Sequence, residues 1–332
     1  MKMKAVVATG QGGPEVLRLM EVDLAWPQGP ADVLVELKAA ALNPADVFFR
    51  QLGGYIAGAQ PFVLGHDGMG IVKAVGAAVT RVKPGDRVCF CNGGIGGTMG
   101  TYAEAAVVPE WQLALVPDAV ADETAAALPL VAITCWESLY ERAGVQPGEY
   151  VLIHGGAGGT GHVAVQLAAL RGARVAATVS TRAKQEIVEG LGAEKAINYR
   201  ETDFADAAMS WSGGLNVAFD NAGAETMTRT YRAMAPYGRV VTLMGTAPDD
   251  ADLNAYNLNL TIHNVMMLTP MWKGLTDRLK AQAAIVAEAL QLVAADRLRL
   301  RIAASFPLAQ AAEAQGFLES GQAIGKVVLT MR

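Results

Sequence analysis

A glycine-rich run at 154–161 is the segment whose residue types and spacing most directly favour ligand binding. Glycines stand at the first, third and sixth positions of 156–161, which fits G-x-G-x-x-G, and an apolar stretch at 150–154 precedes them. Glycine lets the backbone approach a pyrophosphate, and the free N–H groups at the start of a following helix attract its charge. The position between a predicted strand and a predicted helix favours a dinucleotide site over a ligand-free turn. The residues predicted to bind the dinucleotide phosphates are Gly156, Ala157, Gly158, Gly159, Thr160 and Gly161.

The end of the second predicted strand, 174–180, distinguishes between two dinucleotides. A site for NAD places an Asp or Glu roughly 20 residues after the glycines, where it binds the ribose 2′-hydroxyl. This chain has Ser180, Arg182 and Lys184 there and no acid, and these groups suit a 2′-phosphate. The alternative is a solvated helix start, although basic residues at this end oppose the helix dipole. The pattern predicts NADPH, with Tyr199 after the next strand either contacting the cofactor or simply packing.

These motifs need a parallel sheet, and the sequence from about residue 123 alternates strands with helices in the way that builds one. The first 120 residues consist instead of short β-rich runs separated by Gly/Pro turns. A last strand near the end of the chain could return to this first domain, so the fold class is α/β. Strands are predicted at 150–154, 174–180, 195–199, 216–222, 238–245 and 264–270, and helices at 160–171, 182–191 and 275–295.

Composition and charge argue against several classes of protein. Of the 332 residues, 52% are hydrophobic and 18% are charged, which is enough apolar material for large cores and argues against disorder. The formal net charge is −5 without a long basic run, so we expect no nucleic-acid partner and no membrane partner. No apolar run reaches about 18 residues, so no membrane span is expected. The start of the chain, MKMKAVVATGQGG, is too short and too interrupted by glycine for a signal peptide, so none is expected. Three cysteines are too few for a disulfide framework and favour a reducing, cytoplasmic setting.

Short motifs spread along the chain point together to one superfamily. They are GGPEVL (12–17), ALNPAD (41–46), PGDRV (84–88), GTYAE (100–104), LPLVAITCWESL (128–139), HGGAGGTG (154–161), INYR (197–200), FDNAG (219–223) and GKVVL (325–329). With them the chain resembles zinc-independent medium-chain dehydrogenases/reductases of the NADPH:quinone oxidoreductase (zeta-crystallin-like) group. The resemblance implies a GroES-like β-rich catalytic domain at 1–122 and 303–332. It also implies a Rossmann domain with a doubly wound parallel sheet at 123–302, and a cofactor in the cleft between the two domains.

The resemblance also assigns residues to the site. Asn43 and Thr134 match positions close to the nicotinamide, and Tyr55 matches a tyrosine of the cleft. Phe48 stands where the family has another cleft tyrosine, which removes one candidate proton donor. Asn43 is alternatively a turn-forming residue before a proline. Further cofactor-binding residues implied by the resemblance are Asn221, Gly223, Met244, Gly245, Gly325 and Lys326.

The same comparison of motifs addresses a catalytic metal. Zinc alcohol dehydrogenases carry a cysteine where this chain has Asn43, a G-H-E motif where it has 65–67, and another cysteine near Leu130. Catalytic zinc needs three protein ligands and an open position, and of these ligands only His66 is present. We therefore predict no metal, with His66 as a hydrogen-bonding residue of the cleft. A zinc site through His66 is the alternative.

These residues together predict an oxidoreductase that transfers hydride from NADPH to a quinone or an α,β-unsaturated carbonyl. Such acceptors delocalise the developing negative charge and so need less help from a metal. Asn43, Tyr55 and His66 would orient the acceptor oxygen, and water or a cleft hydroxyl would deliver the proton. The alternatives are a zinc-type alcohol dehydrogenase and a non-catalytic NADPH-binding protein.

An apolar segment late in the Rossmann domain suggests the oligomeric state. The run NVMMLTPMW (264–272) carries three methionines and is predicted to form an exposed sheet edge. Pairing this edge with its own copy would cover it, so we predict a homodimer. The alternative is that the strand is buried within one chain.

Overall fold

A computed structural model of the chain forms two compact units, 1–133 with 268–332, and 134–267. The described residues are 1–26, 29–52, 62–93, 99–245 and 252–331. In this described part, no helix is both long and apolar enough to cross a bilayer.

The strands and helices are numbered in chain order. The strands are β1 (Lys2–Ala8), β2 (Leu17–Asp23), β3 (Asp32–Ala41), β4 (Phe62–Val63), β5 (Asp67–Val75), β6 (Arg87–Cys91), β7 (Ala105–Pro109), β8 (Ala114–Leu115), β9 (Tyr150–Ile153), β10 (Arg174–Val179), β11 (Lys195–Asn198), β12 (Leu215–Asp220), β13 (Met234–Thr242), β14 (Thr261–Asn264), β15 (Ile302–Pro307) and β16 (Lys326–Thr330). The helices are α1 (Pro44–Leu52), α2 (Asp122–Ala127), α3 (Pro129–Trp136), α4 (Gly161–Leu170), α5 (Arg182–Gly190), α6 (Phe204–Ser212), α7 (Ala224–Tyr231), α8 (Asp252–Asn257), α9 (Thr269–Lys273), α10 (Thr276–Ala294) and α11 (Ala311–Glu319).

The first unit is built on two β-sheets. One has the order β2-β1-β4, and the other has the order β15-β16-β3-β5-β6-β8, with β7 also paired to β3. The last strand, β16, pairs antiparallel with β3, so the end of the chain returns to the first unit as predicted. Alternate residues of β3, Val33, Val35 and Leu37, point into a core that also contains Val72 and Phe90.

The second unit is built on one six-stranded parallel sheet with helices between its strands. Its order is β11-β10-β9-β12-β13-β14, in which the direction of winding reverses between β9 and β12. In such a sheet, ligands bind outside the carboxyl ends of the strands at this reversal. The predicted α/β fold with a Rossmann-type parallel sheet is therefore confirmed.

The contact-based units divide the chain at other positions than the predicted domains. Helix α2 packs against β3 and β5, and α10 packs against β8, so 123–133 and 268–302 fall in the first unit. The boundaries at 122/123 and 302/303 were predicted for the GroES-like and Rossmann domains, and they stay a prediction.

The predicted strand at 264–270 is wrong. The edge strand β14 ends at Asn264, and α9 begins at Thr269. Val265 and Met267 are buried within the chain, whereas Met266 is half-exposed. The apolar run therefore reflects packing inside the unit, and it does not present the exposed apolar edge from which the homodimer was predicted.

Candidate active site

The glycine-rich loop connects the carboxyl end of β9 to the first residue of α4, as the sequence predicts. Two of its positions leave no room for a side chain. A Cβ atom at Gly161 would lie 2.1 Å from the carbonyl oxygen of Gly155, and one at Gly156 would lie 2.7 Å from the Cβ atom of Ala177. This packing holds the loop at the N-terminus of α4. The N–H groups of His162, Val163 and Ala164 already donate to loop carbonyls, so a phosphate would meet the backbone of the loop and the positive end of the helix dipole.

A chain of hydrogen bonds fixes the start of this loop through His154. The Thr230 hydroxyl donates to the carbonyl of Thr226 (2.7 Å), so it accepts from Nε2–H of His154 (2.8 Å). On the other side of the ring, Nδ1 accepts from the Thr178 hydroxyl (3.3 Å), which in turn accepts from the N–H of Gly155 (3.0 Å). The imidazole is therefore neutral, with its proton on Nε2, and it links α7 and β10 to the loop.

We expect His154 to make the protein less stable in acid. Burial lowers the pKa of His154 to about 3, whereas an unfolded chain takes up this proton near pH 6.5. Protons therefore favour the unfolded state as the pH falls below 6.5, by about 2 kcal/mol at pH 5. Urea unfolding measures the unfolding free energy of the parent protein and of a His154→Gln variant at pH 8 and at pH 5. The decrease from pH 8 to pH 5 should be about 2 kcal/mol smaller in the variant. Equal falls in both proteins would contradict the assignment.

The residues predicted to bind a 2′-phosphate lie at the carboxyl ends of two adjacent strands. After β10, the Lys184 ammonium lies 3.3 Å from the Ser180 hydroxyl, so the structure brings these two groups together. After β11, Tyr199 is 47% exposed. Arg182 extends into solvent at 90% side-chain exposure, with Glu186 at 3.9 Å as an ion-pair partner. The hydroxyl and the ammonium therefore form the ordered part of the cluster.

Asp220, at the end of β12, orders two further loops that the sequence assigns to the cofactor. Its Oδ1 atom accepts from the N–H groups of Ala222 (3.0 Å) and Gly223 (3.2 Å), and its Oδ2 atom accepts from the Thr242 hydroxyl (3.0 Å). Burial raises the pKa of Asp220, and these hydrogen bonds oppose that rise. The N–H of Met244 donates to the same threonine (3.1 Å). The predicted residues carried by these two loops are Asn221, Gly223, Met244 and Gly245.

A separate polar cluster is buried in the first unit, where β3, β5 and β16 meet. The Lys326 ammonium donates to Oδ1 of Asn43 (2.5 Å) and lies 3.6 Å from Oδ2 of Asp67. The amide of Asn43 donates to the same carboxylate oxygen (2.9 Å), and the N–H of Leu130 donates to the other one (2.9 Å). Burial raises the pKa of Asp67 and lowers that of Lys326, and their mutual attraction opposes both changes. Asn43 thus has a defined place in this cluster.

Asp46 connects the cluster to His66. Oδ2 of Asp46 accepts from the N–H of Asn43 (2.8 Å) and from the Tyr102 hydroxyl (3.2 Å), and Oδ1 lies 2.5 Å from Nδ1 of His66. His66 is 1% exposed, and the ring of Phe49 lies 5.4 Å from its centroid. Within the described part of the chain, Nε2 of His66 has no hydrogen-bond partner.

Three further predicted site residues are Thr134, Gly325 and Tyr55. Thr134 is buried in α3. Gly325 has a φ of +99°, and a Cβ atom there would lie 2.1 Å from the carbonyl oxygen of Arg301, so this position requires glycine. Tyr55 lies outside the described residues.

Comparison with known proteins identifies the family. The models of the alcohol dehydrogenase GroES-like domain and the zinc-binding dehydrogenase match residues 29–118 and 191–329. The 2-haloacrylate reductase of a Burkholderia species is 32% identical over 99% of this chain and 99% of that protein. The quinone oxidoreductase of Pseudomonas aeruginosa is 32% identical over 98% of this chain and 99% of that protein. The chain belongs to the quinone oxidoreductase-like medium-chain dehydrogenases/reductases.

A solved structure of this family supports the same assignment. Escherichia coli quinone oxidoreductase complexed with NADPH matches with a TM-score of 0.87 and 28% identity, over 98% of this chain and 99% of that one. As a member of the family, the protein is an oxidoreductase that uses a nicotinamide cofactor. The predicted family and fold are therefore confirmed.

The residues at the zinc position of this superfamily do not fit a zinc ion. Zinc takes thiolate, imidazole or carboxylate ligands, whereas the Lys326 ammonium lies between Asn43 and Asp67. Leu130 contributes a backbone N–H to the carboxylate in place of a side-chain ligand. In the described part of the chain, no group of three or more His, Cys, Asp or Glu residues is placed to hold a metal ion.

The three cysteines are buried. Burial raises the pKa of Cys89, Cys91 and Cys135, so these thiols stay neutral at physiological pH. A neutral buried thiol is neither a good nucleophile nor a metal ligand, so these three cysteines pack in the core.

Sequence reasoning did not single out Asp46, Asp220 or a function for His154. Two of them carried a usable signal, because Asp220 ends an apolar strand and His154 directly precedes the glycines. Asp46 falls in the first turn of α1, where a carboxylate is favoured by the helix dipole in any case. Its partnership with His66 is a property of the folded chain.

Proposed function

We propose that the protein transfers hydride from NADPH to a quinone or an α,β-unsaturated carbonyl without zinc. The preference for NADPH is supported by the Ser180–Lys184 pair at the end of β10, where an acid would favour NAD. Independence of zinc is supported by Lys326, because its ammonium group contacts Asn43 and Asp67 and would repel a metal cation at that position.

In this proposal, the residues described above bind and orient the cofactor, which supplies the hydride when bound. The loop at 155–160 and the start of α4 hold the pyrophosphate, and His154 keeps that loop in place. Ser180 and Lys184 bind the 2′-phosphate, joined by Arg182 and Tyr199. The buried cluster of Lys326, Asn43 and Asp67 holds Asn43 in a fixed orientation in the first unit.

The proposed substrate class is supported by the chemistry of the side chains at the zinc position, where an ammonium group contacts Asn43 and Asp67. A simple ketone concentrates negative charge on one oxygen as it accepts hydride, and a metal or a strong proton donor must stabilise that charge. A quinone or an enone spreads the charge over a conjugated system. Two relatives are named for such acceptors, since a quinone and a 2-haloacrylate are both conjugated carbonyl compounds.

Steady-state NADPH oxidation tests the function. The panel contains ortho-quinones, para-quinones, enones, enals, 2-chloroacrylate and simple ketones, with metal content measured on the same purified protein. We expect turnover with at least one conjugated acceptor, little with simple ketones, and less than one zinc per ten chains. Stoichiometric zinc with alcohol oxidation would favour the zinc-type alternative. NADPH binding without turnover of any acceptor would favour the non-catalytic alternative.

Lys184→Ala should weaken NADPH binding by about tenfold to a hundredfold, since a charge-assisted contact with phosphate contributes about 1.5–3 kcal/mol. NADH lacks the 2′-phosphate, so its dissociation constant should change by less than about threefold. Fluorescence titration with both cofactors measures the two constants. Lys195→Ala is the matched control, because Lys195 is an exposed lysine at the opposite end of the neighbouring strand. Equal weakening of both cofactors would contradict the assignment.

The homodimer stays part of this proposal, now through the polar edge strand β14. Strand β14 is the last strand of its sheet, so its outer backbone groups can pair with a second copy. Light scattering at micromolar concentration should give about twice the chain mass of 34.7 kDa. The mass of a single chain would refute the homodimer.

A cytoplasmic location likewise stays a prediction.

A further inference from the structure

The buried cluster of the first unit has a charge balance that bears on His66. Lys326 pairs with Asp67, which leaves Asp46 as a further buried carboxylate. The nearby cation Arg50 is already paired with Glu319 at 2.8 Å. Tyr102 and Cys91 contact these carboxylates as neutral groups, because burial raises the pKa of both. The imidazole of His66 is therefore the side chain that can balance the charge of Asp46.

Hydrogen bonding shows how His66 is oriented against Asp46. Both groups that reach Oδ2 of Asp46 are donors, namely the Asn43 N–H and the Tyr102 hydroxyl, as expected for an ionised carboxylate. An ionised Oδ1 then accepts a hydrogen bond from Nδ1–H of His66, at 2.5 Å. Asp46 thus fixes the orientation of the ring, with Nδ1 as the nitrogen that faces the carboxylate.

The other ring nitrogen is what points to a ligand. Nε2 of His66 is buried and has no partner among the described residues, in a cluster whose other polar groups are largely satisfied. A buried polar group without a partner destabilises the folded chain. Native proteins retain such an unpaired group where it forms a hydrogen bond to a bound molecule.

We propose that His66 is the proton donor of the reaction, held in its donating state by Asp46. This inference rests on the proposed function. After hydride transfer has placed two electrons on the acceptor carbon framework, negative charge develops on the acceptor oxygen. The Nε2–H bond of the imidazolium breaks, an O–H bond forms, and the electron pair stays on Nε2. The neutral imidazole keeps its proton on Nδ1, hydrogen-bonded to Asp46. Nε2 regains its proton from water before the next turnover.

A His66→Gln variant separates proton donation from binding, because glutamine can donate a hydrogen bond but cannot release a proton. We expect kcat with the best acceptor to fall about 100-fold or more. The dissociation constant for NADPH and the midpoint of thermal unfolding should stay close to those of the parent protein. His263→Gln is the matched control, since His263 lies on β14 outside the cluster, and it should keep the parent kcat.

Two further measurements keep the inference testable if His66→Gln folds poorly. In the parent protein, kcat should fall at high pH as the imidazolium is lost, and it should show a solvent deuterium isotope effect. In His66→Ala, added imidazole should restore kcat, and the rescue should be strongest at a pH where the added imidazole is protonated. If His66 had a purely structural role, the rescue would not depend on pH in this way. Asp46→Asn should lower kcat, because it removes the carboxylate that orients the ring through Nδ1.

The outcomes distinguish this inference from the proposed function. If the parent protein reduces none of the acceptors, the proposed function fails. If the parent protein is active and His66→Gln keeps kcat within about twofold, the proton donor is another group and the proposed function stands. A pH-independent kcat in the parent protein would also overturn the assignment of His66.

Discussion

Gly161→Ala is expected to weaken NADPH binding by at least 100-fold and to lower the unfolding free energy by about 1–3 kcal/mol. A Cβ atom at Gly161 would lie 2.1 Å from the carbonyl oxygen of Gly155 and 2.8 Å from the α-carbon of Gly156. Both neighbours are backbone atoms, so the loop has to open to admit the methyl group. Opening it would move the loop backbone that is proposed to hold the pyrophosphate. Fluorescence titration with NADPH and urea unfolding measure the two effects.

Gly190→Ala is the matched control for this prediction. Gly190 is the last residue of α5, and a Cβ atom there would meet nothing within 4 Å. Alanine is the better helix residue, so the unfolding free energy should be unchanged or slightly higher. NADPH binding should not change. If Gly161→Ala bound NADPH as well as Gly190→Ala does, the loop would not be the phosphate site.

Lys326→Met should lower the unfolding free energy by about 3–5 kcal/mol at pH 8, because it leaves the Asp67 carboxylate buried without its cation. The loss should be smaller at pH 5. Burial already raises the pKa of Asp67, and removing the ammonium raises it further. A carboxyl whose folded pKa is raised stabilises the fold while it is protonated at low pH, and that stability is lost as the pH rises. Urea unfolding at both pH values measures the difference.

The double variant Lys326→Met with Asp67→Asn completes a mutant cycle. Both charges are then absent, and the asparagine can still accept from the N–H of Leu130. We expect the double variant to recover most of the stability lost in Lys326→Met and to lose its pH dependence. Additive losses in the two single variants would show that the pair contributes nothing as a pair.

The local motifs of this chain could be interpreted correctly from the sequence. A strand, a glycine-rich turn and a helix are specified by neighbours in the chain, so the loop at 154–161 and the helix after it were predicted where the structure has them. The same holds for Ser180 and Lys184, which are four residues apart where β10 leads into α5. The predicted strand at 264–270 failed because an apolar run does not distinguish an extended strand from a buried turn and helix start.

The sequence by itself determined the family, the α/β fold and the residues of the glycine-rich loop, because these depend on short-range patterns. Only the tertiary structure decided the buried cluster of the first unit. Lys326 and Asn43 are 283 residues apart, and Asp46 meets His66 across 20 residues. No local pattern encodes such pairings, since they arise when strands from opposite ends of the chain join one sheet. The charge balance, the orientation of His66 and its unpartnered nitrogen follow from that closure, because burial makes every unpaired polar group costly.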